Sequence, residues 1–144
     1  MKMKILGVGY ELAIQIRKTR NSKLLFDLFE IRTKDRRFIE TYEKCGPRSI
    51  FSDFCKNLHG SDFAFELISV ATRIVLNQNE IEKLAVALCL LEELTFYTHT
   101  TEIPSDLKAE WDNISHKVYE TGKEKCILLW KEICRWYRVK TEHP

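Results

Sequence analysis

Four histidines (His59, His99, His116 and His143) and five cysteines (Cys45, Cys55, Cys89, Cys126 and Cys134) are the side chains of this 144-residue chain best suited to metal binding, nucleophilic attack or proton transfer. A zinc or di-iron centre built on helices needs such residues to converge as Glu-x-x-His or His-x-x-x-His. Neither pattern occurs, and His59, His99 and His116 each stand alone, as loop or surface histidines do. The cysteine count is odd, no pair has the C-x-x-C spacing of a zinc ribbon or thioredoxin-type site, and Cys89 lies inside the most apolar run. The thiols therefore read as reduced, small hydrophobic residues of a cytoplasmic protein. Gly7-Val8-Gly9 lacks the later glycine or Gly-Lys-Ser/Thr of a phosphate loop. Nothing in these spacings requires a metal or a cofactor.

One spacing does carry chemistry. Arg138-Val139-Lys140-Thr141-Glu142-His143 contains Arg-x4-His, which resembles the catalytic motif of the HEPN superfamily, whose members are small helical bundles, many of them ribonucleases. The resemblance spans six residues and implies an RNA-cleaving site in which His143 is the acid or base and Arg138 holds the phosphate. It also puts His143 in the tail 141–144, where fraying is expected, while catalysis needs held geometry. A ribonuclease using Arg138 and His143 is thus the alternative to a protein without catalytic activity.

Charge patterning is more informative. The net charge of +2 hides a segregation: residues 1–48 hold 12 Lys and Arg against 6 Asp and Glu, residues 49–122 hold 5 against 12, and residues 123–144 hold 6 against 3. Such blocks either complement one another within the fold or face partners. On the acidic side, Glu92, Glu93, Glu102, Asp106, Glu110, Asp112 and Glu120 run from the end of one helical segment through the next. A face of that sign steers and selects a basic protein partner. On the basic side, Arg17, Lys18, Arg20, Lys23, Arg32, Lys34, Arg36 and Arg37 have the density to neutralise nucleic-acid phosphates. The chain carries no helix-turn-helix, RNP or zinc signature, so nucleic acid is the weaker of the two partner classes. Trp136, interleaved with Arg135 and Arg138, is the residue suited to anchor an interface.

The elements that must position these residues are helical. Five glycines and three prolines are few for a turn-rich β fold. Asp62–Leu76 and Glu80–Thr98 carry apolar residues all round the helical wheel, which predicts a buried helical hairpin at the centre. Ser61 or Asp62 is placed to cap its first helix, and Asn79 with Glu82 to form a capping box on its second. Residues 5–31 fit either a helical stripe or a short β-hairpin, with helix preferred. Leu24, Leu28, Ile31, Phe38 and Tyr42 then recur at helical spacing up to Gly46-Pro47, with Arg32–Arg37 either breaking that helix or carrying it into solvent. Ser49 opens a short helix ending at His59-Gly60. Ser105 opens an amphipathic helix with Leu107, Trp111, Ile114 and Val118 on one stripe, stopped by Gly122. A last helix spans about Lys123–Lys140. The longest uninterrupted apolar run, Leu84–Leu91, falls far short of the roughly 20 residues that a membrane span needs, and the N-terminal apolar run is too short for a signal peptide.

The sequence therefore predicts an all-α, single-domain bundle of five or six helices over residues 1–144. Its expected role is cytoplasmic, non-catalytic protein–protein interaction. One form of this is an immunity or antitoxin-like inhibitor that binds a basic nuclease toxin through Glu92, Glu93, Glu102, Asp106, Glu110 and Asp112, with Trp136 as anchor.

Overall fold

In the computed structural model, Ile81–Tyr97 is a helix whose residues from Leu84 to Thr95 are all buried, and a helix covered on every side must lie in the middle of the molecule. The structure describes residues 9–36, 39–40, 48–58 and 60–139, with the side chains of 48–50 left outside the description. Among the described residues there are seven helices and no strand: α1 (Tyr10–Thr19), α2 (Leu24–Lys34), α3 (Arg48–Cys55), α4 (Ser61–Asn77), α5 (Ile81–Tyr97), α6 (Ser105–Glu120) and α7 (Glu124–Trp136). The all-α expectation holds, and the described helices exceed the five or six predicted.

Helices α4 and α5 form the central hairpin. On one side α2 and α3 pack against it, and α1 packs on α2; on the other, α6 lies on α4, α7 lies on α5, and α6 and α7 touch each other. One continuous apolar cluster threads all seven helices. The stripe of α6 behaves as its spacing predicts: Leu107, Ile114 and Val118 are fully buried, each contributing roughly 1.5–3 kcal/mol of burial, with Trp111 packed at the cluster's edge. Gly122 ends this helix in the left-handed region at φ 63°, its N–H donating to the Tyr119 carbonyl, a backbone state that a side chain disfavours.

The ambiguous N-terminal stretch is helical where described. Gly9 opens α1 at φ 74°, and a Cβ there would meet Leu28 Cδ1 at 2.9 Å, so the absent side chain lets α1 start against α2. The second helix stops early. Asp35 is extended, at φ −85° and ψ 115°, so the charged segment breaks the helix rather than prolonging it. Phe38 and Tyr42, which the longer stripe included, lie outside the described residues.

Three predicted caps are absent. The residues preceding α4, α5 and α6 are Gly60, Glu80 and Pro104, and none makes a side-chain capping bond. The acids expected to cap are engaged by cations instead: Asp62 by Arg20 at 2.9 Å, Glu82 by Arg36 at 4.0 Å. A carboxylate within reach of a guanidinium has a charge-assisted alternative to capping.

Candidate functional site

The outer side of α6 is set by the burial of its other side. With Leu107, Ile114 and Val118 inward, helical geometry turns Asp112, His116 and Glu120 outward at four-residue steps, and all three are exposed. Asp106 and Glu110 occupy the flank toward α4: Asp106 lies 3.7 Å from Arg73, and Glu110 accepts a 3.3 Å hydrogen bond from Asn113 Nδ2. Glu102, in the loop before the helix, is exposed. Neither Glu102 nor Asp112 has a cationic partner among the described residues. Lys108 and Lys117 also sit on α6, so the face is acidic by excess and not uniformly so.

Glu92 and Glu93, expected on the same face, are not on a face at all. They are 3% and 4% exposed, because α5 is covered from both sides and has no solvent side at that level. Both are engaged inside the protein, as a buried carboxylate must be. The Glu93 charge reaches Cys55 and Tyr97 and helps to raise both their pKa values, after burial itself.

Trp136 is likewise not a free anchor. Its ring lies 5.3 Å from that of Phe96, and its Nε1–H donates to the Thr100 carbonyl at 2.8 Å. It faces the loop between α5 and α6 and leaves only part of its surface to solvent.

Among the described basic residues of the first block, Arg17, Arg20, Arg32, Lys34 and Arg36 are engaged within the fold. Arg32, read from sequence as a solvent-facing cation, is 0% exposed. It donates to both carboxylate oxygens of Asp53, at 3.1 and 2.8 Å, and its guanidinium lies 5.6 Å from the Phe51 ring centre. Arg20 combines the Asp62 pair with a position 4.6 Å from the Phe63 ring, Arg17 lies over Phe54, and Lys34 pairs with Glu30. Arg20–Asp62, Arg32–Asp53 and Arg36–Glu82 each join the basic first block to the acidic middle one. Lys18 and Lys23 remain exposed; Arg37 lies outside the described residues.

Cys55, Cys89, Cys126 and Cys134 are free and buried. Burial pushes up the thiols of Cys55 and Cys126, and that of Cys134 to about 12. Since the thiolate is the nucleophile, these four are expected to resist iodoacetamide at pH 8 in the native protein and to label fully in denaturant, as read by peptide mass spectrometry. The sign for stability follows: a thiol held protonated by folding stabilises below its ordinary value and loses that contribution as pH climbs toward 12.

Among the described residues no group of three His, Cys, Asp or Glu is arranged to hold a metal ion, and no helix is long and apolar enough to cross a membrane. An open cleft of about 620 Å³ lies between Lys34 and Arg36 on one side and Glu80 to Lys83 on the other. Its cations are already paired, Lys34 to Glu30, Arg36 to Glu82 and Lys83 to Glu80. Arg138 is exposed in a left-handed turn after α7, at φ 60°; His143 is outside the described residues, so the Arg-x4-His pair has no geometry to weigh. Comparison with family models, curated proteins and solved structures returned no match.

Proposed function

We propose that this chain is a non-catalytic protein-binding module that docks a basic protein partner on the outer side of α6 and the loop before it, through Glu102, Asp106, Glu110 and Asp112. The supporting observation is an imbalance. Three cations of the first block, Arg20, Arg32 and Arg36, pair with Asp62, Asp53 and Glu82, whereas the carboxylates of Glu102 and Asp112 are exposed without a cationic partner among the described residues. Opposed potentials of this kind raise association rates and choose among partners. A cytoplasmic immunity or antitoxin-like inhibitor that occludes a basic nuclease is the concrete form that fits the size and the charge.

The test is a capture experiment at low salt with native mass spectrometry. The unmodified protein is expected to retain one stoichiometric basic protein. Glu102→Lys with Glu110→Lys and Asp112→Lys is expected to weaken it by about tenfold or more with helical content unchanged, since all three side chains are at least partly exposed. Undiminished capture by that variant, or recovery of nucleic acid in place of a protein, would overturn the reading.

A further inference from the structure

We draw no further inference here: the strongest candidate, the open cleft of about 620 Å³ between the end of α2 and the start of α5, has its lysines and its arginine already paired with carboxylates of the protein and beyond them offers only the N-terminus of α5, with nothing in the structure that points to a ligand.

Discussion

Asp53→Ala is expected to destabilise the fold by about 3 kcal/mol, the largest effect of any single charged residue on this surface. Asp53 is itself 21% exposed, but its partner Arg32 is not exposed at all. A guanidinium cannot shed its proton to escape burial, so removing the carboxylate that binds both of its nitrogens leaves a charge in an apolar setting. The Phe51 ring, 5.6 Å away, and the other interactions of Arg32 offset part of that cost, which is why the lower end of the usual range of about 3–5 kcal/mol applies. Asp53→Asn keeps one acceptor and is expected to lose about half as much. The informative variant is the double one. Arg32→Met with Asp53→Leu replaces the pair by apolar groups of similar reach, and a buried ion pair so replaced is often no less stable. Urea unfolding midpoints at constant slope measure all three. If Asp53→Ala unfolds at the midpoint of the unmodified protein, the pair does not fasten α2 to α3.

Arg32 also shows where a local reading of the sequence stops. The stripe chosen from the sequence in this region ran through Leu24, Leu28 and Ile31, because those residues are apolar at helical steps. The buried stripe is Leu25, Leu28, Phe29 and Arg32, while Ile31 is 43% exposed. Both stripes have helical spacing, and the correct one looks worse only because its last member is charged. The partner that makes Arg32 acceptable inside is 21 positions away, beyond any periodicity argument. Glu92 and Glu93 fail for a related reason. The hydrophobicity of α5 all round its axis correctly placed it at the centre, and that same fact denied its carboxylates a solvent side; the two inferences conflict, and burial wins. By contrast the orientation of α6 was legible, since a one-sided apolar stripe fixes which residues face out, and Asp106 and Asp112 are exposed where the spacing put them. Trp136 was misplaced because a terminal helix was read without the loop that folds onto it, a contact across 36 positions.

The charge blocks acquire a physical meaning from the same long-range pairs. Arg20–Asp62 and Arg36–Glu82 are exposed and contribute little individually to stability. Together with Arg32–Asp53 they nevertheless satisfy first-block cations within the molecule, and so lower the positive charge available to nucleic acid. Among the described residues the carboxylates of α6 have fewer such partners, Arg73 at Asp106 and His116 at Glu120, and the proposal of a basic partner rests on this asymmetry.

Trp130→Ala is expected to cost about 3–5 kcal/mol, against a total that for a chain of this size lies near 5–15 kcal/mol, and to lower the melting temperature by roughly 10–20 °C. Trp130 is 1% exposed. It lies 4.6 Å from Trp111 between ring centres and donates Nε1–H to Ser115 Oγ at 2.9 Å, so one side chain of α7 supplies both the apolar and the polar contact to α6. Trp130→Phe should cost less, about 1–3 kcal/mol, since it loses part of the indole's packing together with the hydrogen bond, while half-buried Ser115 can turn to water. Both variants lose the hydrogen bond, so the difference between them measures the packing of the remaining ring. The Ala variant also separates the layers: α4 and α5 keep their mutual burial, while α6 keeps Leu107, Ile114 and Val118 toward the hairpin, the Asp106–Arg73 pair and the Trp111–Tyr137 edge contact but loses the Trp130 side chain of α7. Amide exchange in α6 should therefore accelerate before that of α4 and α5, and the proposed docking of a basic partner, if it uses the carboxylates of that helix, should weaken with it. Equal acceleration in all three helices would show instead that α6 and the hairpin open as one cooperative unit, and that the Trp130–Trp111 contact holds the whole bundle closed.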